Sequence, residues 1–190
     1  MAALDLESPA PKPTIAFVGF MGAGKTRAAK GAGAVLGERV VDVDREIERE
    51  LGAPPHEVFA REGEVRFREV EEQATLAALA GGGLVALGGG AVETESVREA
   101  LRGCFTVWCR ITEESAWTRC ADDPDRPLAQ DRAEFARRFA AREPFYEELA
   151  DAILTDGGER VARLAAPWLR AAAPLEGARL AWAASASGQP

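Results

Sequence analysis

A chain of 190 residues, 47% hydrophobic and 28% charged, fits one globular domain long enough to bury a core. Its formal net charge of −8 argues against nucleic acid and anionic lipid as partners, so an anionic ligand must be held by a local cluster of donors. No apolar stretch approaches the roughly 20 residues of a membrane span, and the 3 cysteines (Cys104, Cys109, Cys120) lack CxxC spacing and lie far from the single His56, which argues against zinc and for reduced core thiols.

Residues 1–13, acidic and then Pro-rich, are expected as a flexible leader without the basic start and apolar run of a signal peptide. From there short apolar, β-branched runs alternate with helical patterns. Strands are expected at 14–18, 39–43, 84–87, 105–109 and 152–154. Helices are expected at 25–36, 45–51, 64–80, 93–101, 113–120, 132–142 and 159–169. Pro54 and Pro55 should stop the second helix and Gly81 to Gly83 the third, and the sixth is expected to end at Arg142, ahead of Pro144. The Asp-, Pro- and Arg-rich run 121–132 reads as a mobile loop. Strand–helix alternation predicts an α/β domain over 14–170 with a parallel sheet covered on both faces; the strand order does not follow. Residues 171–190 are expected as a poorly ordered tail or a linker.

The strongest motif is Gly19-Phe20-Met21-Gly22-Ala23-Gly24-Lys25-Thr26, a GxxxxGK[ST] phosphate loop placed after a strand and before a helix. Glycines let such a loop turn backbone N–H groups onto phosphates at the positive end of the helix. Lys25 supplies a cation for the β and γ phosphates, and Thr26 a hydroxyl for Mg2+. The loop implies a nucleoside triphosphate, not an acceptor.

The second expected strand ends Val41-Asp42-Val43-Asp44, which as a strand puts Asp42 and Asp44 on one side. Neighbouring carboxylates repel unless a cation or proton donor lies between them. Mg2+ near Asp42, through water, with a substrate hydroxyl at Asp44 would satisfy both; Asp44 as a helix cap is the plainer alternative. Arg68 and Glu71, three residues apart on a helix, share a face, so Glu71 can set Arg68 for a two-pronged grip on a carboxylate. Gly88, Gly89 and Gly90 follow the third strand and would let a ligand reach backbone N–H groups. Arg142 is read as a cation at a helix C-terminus, and Arg126 as a loop arginine that could close over ATP. His56 has no assigned role.

In order along the chain, GFMGAGKT, VDVD, Phe67-Arg68-Glu69-Val70-Glu71, Ala86-Leu87-Gly88-Gly89-Gly90-Ala91, Arg126-Pro127-Leu128 and Arg142-Glu143-Pro144-Phe145-Tyr146 resemble the motifs of the shikimate kinases, over residues 14–169. The resemblance implies a three-layer phosphate-loop kinase fold, a five-stranded parallel sheet flanked by helices, with a mobile lid. It implies Asp44, Arg68, Gly88, Gly89, Gly90 and Arg142 around shikimate, with Glu71 behind Arg68. Gly22, Ala23, Gly24, Lys25, Thr26, Arg119 and Arg126 would meet ATP, Arg119 near the adenine and Arg126 from the lid. Members of the family are cytoplasmic, use ATP and Mg2+, and make shikimate 3-phosphate for aromatic amino acid synthesis; a monomer is expected. Lys25, Asp44 and Arg126 are the expected catalytic residues. The chain departs from the family at Arg27, where a second hydroxyl is common, and at Ala129, where a second leucine follows the lid motif. A kinase for another carboxylated polyol, such as gluconate, and a nucleotide-binding module without turnover are the competing readings.

Overall fold

The computed structural model describes residues 14–121, 123, 129–155, 162–163, 166–167, 171 and 180–182. The expected leader, Arg126 with half of the expected lid, and most of the seventh expected helix lie outside these. So does the expected tail apart from 171 and 180–182.

The strands are β1 (Ile15–Val18), β2 (Val40–Asp42), β3 (Leu84–Ala86), β4 (Phe105–Arg110), β5 (Ala152–Thr155) and β6 (Leu180–Trp182). They form one sheet in the order β2-β3-β1-β4-β5-β6, and every pairing is parallel. All five expected strands are present, and β6 joins beyond β5 from a stretch where no strand was expected. Alternate side chains of β1, β3 and β4 enter opposite cores: Ala16, Val18, Val85 and Trp108 on one face, Ile15, Phe17, Leu84 and Val107 on the other. A strand covered twice has no polar face, which is why these runs read as continuous apolar segments.

Helix α1 (Lys25–Leu36) packs its Ala28, Ala29 and Ala32 into the second core. The first core is closed by α2 (Val43–Leu51), α3 (Pro55–Ala80), α4 (Glu95–Leu101) and α6 (Arg132–Leu149). Helix α5 (Glu113–Cys120) adds Ala116 and Cys120 to it. No helix among the described residues is long and apolar enough to cross a membrane.

Three boundaries differ from expectation. Strand β2 stops at Asp42, whose side chain accepts a hydrogen bond from the Arg45 N–H, so α2 begins at Val43 and Asp44 lies in its first turn rather than on the strand. The cap therefore falls on Asp42, not Asp44. Pro55 opens α3 instead of only ending what precedes it, because proline suits the first helical turn. A break at Gly63 (φ 82°, ψ 167°) restarts that helix at Glu64, the expected start. Finally, α6 runs through Pro144 to Leu149, which places Arg142 inside the helix rather than at its end. Pro144 forfeits one backbone hydrogen bond, but the next turn buries Tyr146 to 2% exposure and seats Phe145 and Leu149 on the core, which outweighs the loss.

Candidate active site

The phosphate loop joins β1 to α1 at the carboxyl end of the sheet, where parallel sheets open their ligand crevice. Gly22 (φ 77°) and Gly24 (φ 81°) take left-handed backbone conformations, and Gly24 is the N-cap of α1. Lys25 Nζ donates to the Phe20 carbonyl across the loop at 3.2 Å. Arg119 Nη1 on α5 donates to the Gly22 carbonyl at 3.0 Å, so this arginine holds the loop itself. Beside it, a cavity of about 420 Å³ is lined by Arg110, Thr112, Arg119, Phe139, Glu143 and Thr155. That volume lies in the range of small-molecule sites.

On the other side of the loop lies a chain of alternating charges. Arg68 on α3 pairs with Glu71 and also lies 3.6 Å from both Glu64 and Glu93. Arg142 Nη2 on α6 donates to Glu93 Oε2 at 2.7 Å, and the Arg142 guanidinium lies 5.6 Å from the Phe20 ring centroid. One carboxylate oxygen, on Glu93, thus sits between both arginines. Arg142 is 1% exposed, and its Nε has no hydrogen-bond partner among the described residues.

Burial opposes the charge of Arg68, but Glu71, supported by Glu93 and Glu64, outweighs it and raises the Arg68 pKa. Burial pushes the Glu71 carboxyl up against the pull of Arg68, and the nearby Asp44 carboxylate adds to that rise. Burial likewise raises the Tyr146 phenol far above its ordinary range. Tyr146 remains a donor and gives its hydroxyl hydrogen to the Gly89 carbonyl at 2.6 Å.

The glycine triplet owes its composition to these neighbours. A Cβ on Gly88 would run into the Glu71 carboxylate and lie 3.4 Å from Asp44 Oδ1. A Cβ on Gly90 would strike the Arg68 guanidinium, 2.7 Å from its Cζ. Gly89 faces the phosphate loop, where a Cβ would lie 3.3 Å from the Met21 N. The triplet therefore brings Asp44, Glu71, Arg68 and the loop together around one turn.

Of the residues picked from sequence, Gly22, Ala23, Gly24, Lys25 and Thr26 share the loop, with Arg119 against it. Arg68, Glu71, Gly88, Gly89, Gly90 and Asp44 share the turn, and Arg142 joins Arg68 through Glu93. Asp42 caps α2, and Arg126 is outside the described residues. Sequence reading missed the parts played by Glu93, Tyr146 and Phe20. Arg138, Arg142 and Tyr146 recur every four residues, a single helical face that is legible only if the helix is carried past Pro144.

A loop suited to phosphates beside a cationic pocket already closed on a carboxylate belongs to a small-molecule kinase of the phosphate-loop class, acting on an acid. The sequence model described as shikimate kinase matches residues 21–172. The shikimate kinase of Moorella thermoacetica is 41% identical over 152 residues, covering 78% of this chain and 88% of its own. That of Corynebacterium glutamicum is 40% identical over 141 residues, covering 73% and 83%. The solved structure of the Acinetobacter baumannii shikimate kinase in complex with shikimate superposes with a TM-score of 0.75 at 34% identity, covering 83% of this chain and 90% of that one. The chain belongs to the shikimate kinase family.

Proposed function

We propose that this chain transfers the γ-phosphoryl group of ATP to a hydroxyl of shikimate, giving shikimate 3-phosphate. The observation that carries the reading is the convergence of Arg68 and Arg142 on one carboxylate oxygen beside the phosphate loop. Two guanidiniums held this way grip a planar carboxylate, and the grip fixes the rest of the ring.

Lys25 and the loop N–H groups hold the terminal phosphates, and the base of ATP fits the cavity between α5 and α6 next to Arg119. The acid carboxylate on Arg68 and Arg142 aims one hydroxyl at phosphorus. Asp44, beside the glycine turn, accepts that hydroxyl's hydrogen bond and takes its proton as the oxygen attacks. Catalysis is then mostly positioning and charge stabilisation, and Arg126 brings further positive charge from the lid.

The residues fit Mg2+. Among the described residues no three or more His, Cys, Asp or Glu gather into a metal cage. Mg2+ needs none, since it keeps several waters and takes other ligands from phosphates. The Thr26 hydroxyl in the first turn of α1, and Asp42 through water, would hold it. Bound there, the ion neutralises phosphate charge.

The test is coupled ADP release with Mg-ATP, with and without shikimate, beside a panel of other carboxylated polyols including gluconate. Shikimate-dependent turnover is expected. ATP binding without stimulation by shikimate refutes the reading, and preference for another acid moves the substrate. Replacing Arg68 by Ala should raise the KM of the acid far more than that of ATP; equal effects contradict its role.

A further inference from the structure

Glu93 stands at the acid subsite proposed above, and its role rests on that reading. Glu93 ends the 3-10 turn Ala91–Glu93 that follows the glycine triplet. Its side chain is 37% exposed, whereas those of Arg142 and Arg68 are 2% and 19% exposed. The carboxylate therefore reaches from the solvent side down onto two largely buried guanidiniums. Among the described residues it is the acidic partner of Arg142, while Arg68 keeps Glu71 as a second one.

The contact is one-pronged. Glu93 Oε2 takes the Nη2 of Arg142, and the Nε on the same edge of that guanidinium has no hydrogen-bond partner among the described residues. Nε and Nη2 together form the edge that a carboxylate grips with both oxygens. An incoming acid would use both donors, and it cannot do so while Glu93 holds one.

We propose that Glu93 is an internal surrogate for the substrate carboxylate: it occupies the Arg68–Arg142 subsite when the acid is absent and must swing toward solvent for the acid to enter. Without Glu93 the buried Arg142 would lose its ion-pair partner among the described residues while Arg68 kept Glu71, so the surrogate keeps the empty site charge-balanced. It also sets a threshold. A simple carboxylate must beat a tethered one for the same arginines, and an acid with hydroxyl contacts elsewhere in the site has binding energy to spare. Glu93 thereby weakens every acid that needs the two arginines by one common factor, which leaves weakly bound small anions largely off the site while the substrate still binds.

The experiment is E93Q, which keeps the shape and removes the charge, with E93D as a second variant whose charge is kept on a stem too short to reach both arginines. Wild type and variants are compared for the KM and Kd of shikimate, the KM of ATP, and competitive inhibition by cyclohexanecarboxylate, a ring acid without hydroxyls. The expected result for E93Q is a shikimate Kd lowered about three- to tenfold, the factor by which a subsite open a third to a tenth of the time weakens apparent affinity. Inhibition by cyclohexanecarboxylate should tighten by the same factor, since both acids need the subsite open, and the KM of ATP should stay within about twofold. E93D should shift both acids the same way by less, and it decides the matter if E93Q does not fold. An unchanged or raised shikimate Kd in the variants overturns the proposal, since Glu93 would then be a spectator or a direct ligand of the substrate. Loss of the function reading looks different: wild type itself would show no shikimate-dependent turnover.

Discussion

Replacing Gly90 by alanine isolates the acid grip from the fold. Gly90 has φ −94° and ψ −10°, a conformation open to alanine, so the backbone carries no penalty. The new Cβ would lie 2.7 Å from Arg68 Cζ and 2.8 Å from its Nη2. Carbon contacts settle near 3.5–4.0 Å, so the guanidinium must retreat by roughly 1 Å. A hydrogen bond stretched that far is no longer one. Losing one charge-assisted bond to the acid corresponds to about 1.5–3 kcal/mol, or about 10- to 150-fold in kcat/KM. The loss should appear in coupled-assay kinetics as a raised KM for shikimate, with the KM of ATP nearly constant. Far-UV circular dichroism and the melting temperature should match wild type. Gly89→Ala is the internal control: its Cβ meets the Met21 N at 3.3 Å, so a smaller effect is expected, on ATP. A Gly90→Ala enzyme with shikimate KM within about twofold of wild type would refute the placement of Arg68.

Asp44→Asn should lower kcat by about 10²- to 10⁴-fold while ATP still binds, the range for a lost proton acceptor; steady-state kinetics with a nucleotide-binding titration checks both halves. Arg142→Lys keeps the charge and loses the planar edge, so the KM of the acid should rise about tenfold or more; a KM like that of wild type would show that the edge is not used. Burial pushes the Cys109 thiol from an ordinary 9.0 up to about 12, and Cys120 is buried with it. Burial raises the Cys104 thiol as well, but that side chain is only partly covered, so Ellman's reagent at pH 8 should react with Cys104 ahead of the other two in the native protein and rapidly with all three cysteines in guanidinium. The folded state keeps a proton on Cys109 that the unfolded chain releases, and on Tyr146 likewise, so stability should fall as pH rises from about 9 toward 12; a melting temperature flat across that window would contradict it.

The parts legible in the sequence were those whose cause is local. The phosphate loop needs its glycines and Lys25 wherever it occurs, and β1, β3 and β4 read as continuous apolar runs because both of their faces are covered. Arg68 and Glu71 share a face by spacing alone. What was missed depends on distant partners. Pro144 reads as a stop until the burial of Tyr146 against Gly89 is known. Glu93 reads as the start of a helix until Arg142, 49 residues on, is seen to reach it. Asp42 and Asp44 read as a strand pair because a helix beginning one residue after Asp42 leaves no mark in the alternation. The triplet of glycines reads as room for a ligand, and the nearest reason for it is the protein's own arginine and glutamate.

Helix α6 runs along both halves of the site. Near its start Phe135 and Phe139 pack edgewise on Phe20 of the phosphate loop, with ring centroids 5.1 and 5.0 Å apart. Further along it carries Arg142 and Tyr146 to the acid side. With the two substrates placed as proposed, a shift of this helix for one alters the free energy of the other. Whatever factor ATP imposes on the affinity for the acid, the acid must impose the same factor on ATP, because the thermodynamic cycle closes. The two substrates are then not independent tenants: the order in which they arrive changes the path taken, and the ternary complex is the same from either side.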